Sequence, residues 1–198
     1  MGGRGGGVSS GRYLRRTITP AAHAAIERRG REIRDLSNEH LSAYDRSGKE
    51  ILSLEGDETS INITASQLRA MKDTDVTHNH PGYGGTFSWD DLDTLVRGKL
   101  NSLSAVDAVR QYTLERKTGI MTNRNEFVTR YKSFSGKIDT ETKNRIEKIK
   151  VNAINHNWSD AKIGDEFDKV NDWADKQARM WLKQHSGKYG YTYREREI

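Results

Sequence analysis

The 198-residue chain contains no cysteine. That absence excludes disulfides, thiolate zinc sites and thiol nucleophiles at once, so any metal must be held by His, Asp, Glu or water. No window approaches the roughly 18 consecutive apolar residues that a membrane span requires. The opening stretch MGGRGGGVSSGRYLRR also lacks the apolar run of a secretory signal. A cytoplasmic chain with no membrane partner is expected. Hydrophobic residues are scarce as well, 33% against 31% charged. The apolar material must therefore be concentrated in short elements, and the length suits one domain with a core plus an extension.

Charge is unevenly placed. Residues 1 to 34 hold eight arginines against Glu27 and Glu32, a surplus of six that exceeds the +5 of the whole chain, so the rest is close to neutral. No broad basic face is indicated, and specific nucleic-acid binding is not expected. The first dozen residues are mostly Gly, Ser and Arg, too poor in apolar surface to offset the entropy of ordering. This gives a division into a flexible Gly/Arg-rich leader (1–17), a metal-binding core (18–118) and a charged helical extension (119–198).

Within the core, TPAAHAAIERRGREIRDL predicts a helix with Thr19 as N-cap and Pro20 at the first helical position. EHLSAYDRSGKEILSLEG reads as a hairpin turning at Asp45-Arg46-Ser47-Gly48. ETSINIT is expected to be a third strand, ASQLRAMK a short helix, TDVTHNH an extended segment and VRQYTLER another strand. Together they predict a mixed α/β (α+β) unit, a small sheet with flanking helices. After Gly119 the text turns long, charged and helix-prone. There DEFDKVNDWADKQARMWLKQ places Phe167, Val170, Trp173, Ala174, Ala178 and Trp181 on one face. That face either packs on its own domain or binds a protein partner.

The chemistry concentrates in THNHPGYGGTFSWDDL. Residues i and i+2 of an extended segment share a side, so the His78 and His80 imidazoles can reach one metal. Ser88 is placed to cap a helix whose first turn carries Asp90 and Asp91, and the glycine loop can fold that turn back on the histidines. Two imidazoles and one carboxylate leave a fourth position open on zinc, as a catalytic site needs. Asp90 lies about 100° round the helix from Asp91, so only one of them can face the histidines. His23, His40, His156 and His185 lack a partner at useful spacing.

The pattern H-x-H, seven residues, then S-x-x-D, here His78, His80, Ser88 and Asp91, resembles the JAMM (MPN+, JAB-domain) zinc metalloprotease family. Its loop is most similar to bacterial and phage versions. The resemblance implies an MPN/JAB-like fold with cytidine-deaminase-like layering over about residues 37–116. It implies zinc held by His78, His80 and Asp91, and Glu39 as general base. It assigns Ser88 to oxyanion stabilisation, with a γ-oxygen that accepts from the backbone and a proton left free. The implied reaction is hydrolysis of amide or isopeptide bonds in a protein or peptide substrate, a ubiquitin-like tag among the candidates. Zinc can bring a water's pKa near 7 and a carboxylate can take the proton, so the roles are chemically coherent. The alternative is a non-catalytic MPN-like binding module, or a phage or bacterial assembly module working through its C-terminal helices. A zinc deaminase would need cysteines, of which there are none, and a serine hydrolase would want a G-x-S-x-G elbow, which is absent around Ser88.

Overall fold

The computed structural model describes residues 17–82, 85–117 and 123–198. Most of the leader, the loop positions Tyr83 and Gly84, and the 118/119 boundary lie outside the described residues. Helix α1 (Pro20–Ile33) starts as expected, with the Thr19 hydroxyl accepting from the Ala22 N–H. Strands β1 (His40–Tyr44) and β2 (Glu50–Glu55) form the hairpin. Its turn is held by Asp45, whose Oδ1 accepts from the N–H groups of Ser47 and Lys49.

ETSINIT is not a strand. The Asp57 carboxylate accepts from the N–H groups of Thr59 and Ser60, at 2.8 Å each, which turns the chain where a ladder would start. Thr64 then caps α2 (Ala65–Ala70) in a reciprocal capping box with Gln67. Strand β3 (Asp75–Asn79), helix α3 (Trp89–Arg97), β4 (Ser102–Val106) and β5 (Arg110–Arg116) complete the core. Two long helices follow, α4 (Arg124–His156) and α5 (Asp160–His185). The chain ends in a strand absent from the sequence reading, β6 (Tyr191–Glu197).

Among the described residues, six strands form one mixed sheet in the order β2-β1-β3-β4-β5-β6. Only β3 and β4 run parallel, with α3 as the crossover between them; the other neighbours are antiparallel. Every residue of β3 and β4 is buried, as expected for central strands covered on both faces. One face receives α1, with Ala25 and Ile26 packed on Tyr44 and the Arg29 Nε–H donating to the Ser42 hydroxyl at 3.1 Å. On the other, Leu41, Val76 and Leu103 join Leu92 and Leu95 of α3 in the main core.

The helical hairpin closes that second face through an aromatic cluster. Phe127 of α4 stacks on Tyr191 at 5.5 Å and on Trp181 of α5 at 6.0 Å, while Tyr131 meets Trp181 at 5.1 Å. Trp181 and Ala178 thus pack within the molecule. Farther along, Arg145 sits over the Trp173 ring at 3.8 Å. The distal part of α4 leaves Val151 and Ile154 exposed, 55% and 77% respectively. Among the described residues, no helix is long and apolar enough to cross a membrane.

Candidate metal centre

Strand alternation sends His78, with Leu41 of the neighbouring strand, to the α3 face of the sheet. His80 follows just past the end of β3, where its N–H donates to the Val106 carbonyl at 2.8 Å. Both rings are buried. Each ring is fixed by a backbone carbonyl: His78 Nδ1 lies 2.9 Å from the Ser104 oxygen, and His80 Nδ1 lies 3.0 Å from the Gly85 oxygen. A carbonyl oxygen can only accept, so both Nδ1 atoms carry a proton, and in the neutral rings both Nε2 atoms present lone pairs.

Those lone pairs converge. His78 Nε2 and His80 Nε2 are 2.9 Å apart, with Asp91 Oδ1 3.1 Å from the first and Asp91 Oδ2 3.4 Å from the second. Two imidazole acceptors and a carboxylate in mutual contact repel one another unless something positive lies among them. A proton or a cation meets that need. The donor set, two nitrogens and one carboxylate with all ligand atoms within 4.8 Å of one another, suits zinc. Carbonyl acceptors behind both histidines fix the ring orientations, as outer-shell partners do in metal sites generally.

Electrostatics follow the geometry. For His80, burial disfavours the charged form, but the Asp91 carboxylate, the Gly85 carbonyl and Glu39 outweigh it and push the pKa up to about 9. Asp91 is also penalised by burial, yet His78 and His80 hold it well below the usual carboxylate range. Glu39 stands immediately before β1 and shares with His78, His80 and Asp91 a cavity of about 610 Å³. Burial raises its pKa, the two histidines oppose the rise, and the charges of Asp91 and Asp57 add to it.

The helix start that carries Asp91 is built by Ser88. The Ser88 oxygen accepts from the Asp91 N–H at 3.1 Å, while Asp91 Oδ2 receives the Ser88 N–H at 2.7 Å and the Ser88 hydroxyl at 2.8 Å. The hydroxyl proton expected to be free is therefore committed to Asp91, and here Ser88 acts on the carboxylate's orientation. Asp90 lines the cavity but lies outside the cluster, and Asp93 pairs with Arg97 at 3.0 Å. His185 caps its own helix on the Trp181 carbonyl, and His23 faces Glu27 at 3.4 Å, both apart from the cluster.

Sequence reasoning did not find the residues that hold the loop in place. Tyr131 of α4 donates to the Phe87 carbonyl at 2.7 Å. Asp175 of α5 accepts the Thr86 N–H at 2.9 Å and is itself held by Arg179 at 2.7 Å. Nothing local marks these positions, since their partners are about 40 and 90 residues away in the chain. Ser104 and Gly85 were equally hidden, because each contributes a backbone carbonyl that any residue could supply.

No family model matches the chain, and neither a curated protein nor a solved structure does. The fold and the cluster together define a mixed α/β protein with a preorganised two-histidine, one-carboxylate centre.

Proposed function

We propose that the protein is a zinc-dependent hydrolase of amide or isopeptide bonds, built on an MPN/JAB-like arrangement of the sheet and α3. The observation that carries this reading is the convergence of two imidazole lone pairs and a carboxylate on a cavity that also contains Glu39. His78, His80 and Asp91 would hold the metal, which supplies Lewis-acid polarisation and lowers the pKa of water.

Glu39 is the base. Its raised pKa brings it nearer to neutrality, where a carboxylate can take a proton and pass it on to a leaving amine. Ser88 orients Asp91, and its hydroxyl stabilises a developing oxyanion once it exchanges the Asp91 Oδ2 acceptor for the substrate. An extended protein or peptide segment would lie in this cavity, whose lining includes the apolar side chains of Leu41 and Phe87 beside the cluster.

A second reading has its own observation. Val151 and Ile154 stand exposed on the distal part of α4, so the hairpin offers apolar contacts to a protein partner in a binding or assembly role. The two readings separate in a hydrolysis assay using a panel of fluorogenic peptide amides and lysine isopeptides. The zinc-loaded chain cleaves members of the panel and the zinc-loaded Glu39→Gln variant cleaves none. Equal turnover by the two would remove Glu39 from the reaction.

A further inference from the structure

We infer that Asn79, the residue between the two histidines, is the positioning residue for Glu39; the inference rests on the zinc-hydrolase reading above. Strand alternation that turns His78 and His80 to the cavity turns Asn79 to the opposite face, where it is fully buried. Its side chain uses every hydrogen-bonding direction it is seen to need, and all of them lead to the segment bearing Glu39. Asn79 Oδ1 accepts from the His40 N–H at 2.6 Å. Its Nδ2 donates to the Asn38 carbonyl at 3.0 Å and to the Leu36 carbonyl at 3.4 Å.

Two of those contacts decide the matter. The Asn38 carbonyl belongs to the peptide unit before the Glu39 Cα, and the His40 N–H belongs to the unit after it. The remaining polar atoms of the same two units are held from the other side: the Glu39 N–H donates to the Asp57 carbonyl at 2.7 Å, and the Glu39 carbonyl accepts from the Gly56 N–H at 2.8 Å. Both peptide planes flanking Glu39 are thus pinned along both edges, which fixes the direction in which its side chain leaves the backbone.

The clamp is needed because the ladder ends there. Pairing of β1 with β3 stops at Leu41–His78, and the next N–H along β1, that of His40, goes to the Asn79 side-chain oxygen. The Asn79 carboxamide, with the donor and acceptor of a peptide group, continues the ladder through a side chain. The far jaw is stiff: a side chain at Gly56 would collide with the Ser60 carbonyl, and Asp57 is locked in its turn with Thr59 and Ser60. One tripeptide therefore directs its two imidazoles at the metal and its amide at the base. A misplaced base costs rate even where metal binding is intact.

The test uses the full chain loaded with cobalt(II) in place of zinc and labelled with carboxyl-13C glutamate. The Glu39 signal is assigned by its loss in Glu39→Gln, and its paramagnetic relaxation reports its distance from the metal. The expected result is that Asn79→Ala binds cobalt as the wild type does, while relaxation of the Glu39 carboxyl falls severalfold. Asn79→Asp has the same size but lacks the two N–H donors; it is expected to show the same loss and serves where the alanine variant does not fold. A folded, cobalt-bound variant with wild-type relaxation at Glu39 overturns the role of Asn79 and leaves the hydrolase reading standing. No cobalt bound by the wild type overturns both. With an amide that the wild type cleaves, kcat in the folded variant falls on the order of a hundredfold while KM holds; an unchanged kcat also overturns the role.

Discussion

Without metal, the His80–Asp91 contact has to be held together by a proton, and this makes stability depend on pH in a definite direction. The pKa of His80 is raised from 6.5 to about 9 by its surroundings in the folded chain. The stabilisation is therefore complete below pH 6.5 and is lost as the pH rises through 9. Asp91 moves the opposite way, so the same contact is also lost in acid, as the pH falls below the usual carboxylate range. The two shifts describe one interaction and are counted once. At about 1.4 kcal/mol per pH unit of displacement, the loss between pH 6.5 and pH 9 amounts to about 3 kcal/mol. For a chain of this size that corresponds to a fall in Tm of roughly 6–12 °C. The assay is a series of thermal melts followed by circular dichroism on chelator-treated protein, with Asp91→Asn as reference to cancel other titrations. In the proposed zinc form the metal would replace the proton: zinc at a hundred times its Kd would add about 2.7 kcal/mol, and at a fixed zinc concentration the gain would grow with pH as protons cease to compete. A metal-free Tm that runs parallel to that of Asp91→Asn from pH 6.5 to pH 9 would refute the reasoning.

Further outcomes follow from other contacts. Glu39→Gln keeps the metal and abolishes hydrolysis, checked by zinc content and turnover on one preparation. Ser88→Ala removes the N-cap of α3 and an acceptor's partner at Asp91, lowering stability in urea by about 1 kcal/mol. Asp175→Ala leaves the Thr86 N–H without its acceptor and Arg179 without its nearest carboxylate; it costs about 1–3 kcal/mol in urea and weakens zinc binding through the loop that carries Gly85.

Local chemistry was readable from the sequence wherever a residue's partner lies a few positions away. Thr19-Pro20, the Asp45 turn and the Ser88 cap all work within four residues, and each stands where the spacing puts it. The His78, His80 and Asp91 cluster was legible for a related reason, since strand and helix periodicity set the side each of them faces, although distant Tyr131 and Asp175 hold the loop that joins them. The readings that failed depended on competition or distance. ETSINIT alternates like a strand, but Asp57 offers its backbone a turn, and no ladder forms there. Strand β4 is buried on both faces, and its alternation, Ser102-Leu103-Ser104-Ala105, is short and built from small residues with weak strand preference. Strand β6 reads as charged because, beyond Tyr191 and Tyr193, it pairs along only one edge and its far end is exposed. Asn79 was overlooked because its role depends on a segment 39 residues earlier in the chain.

The most direct measurement is the zinc content of the purified chain by mass spectrometry, beside Asp91→Ala and Asp90→Ala. The account predicts about one zinc per chain, lost in Asp91→Ala and kept in Asp90→Ala. No zinc in the wild type after zinc is supplied, or equal zinc in Asp91→Ala, would contradict it.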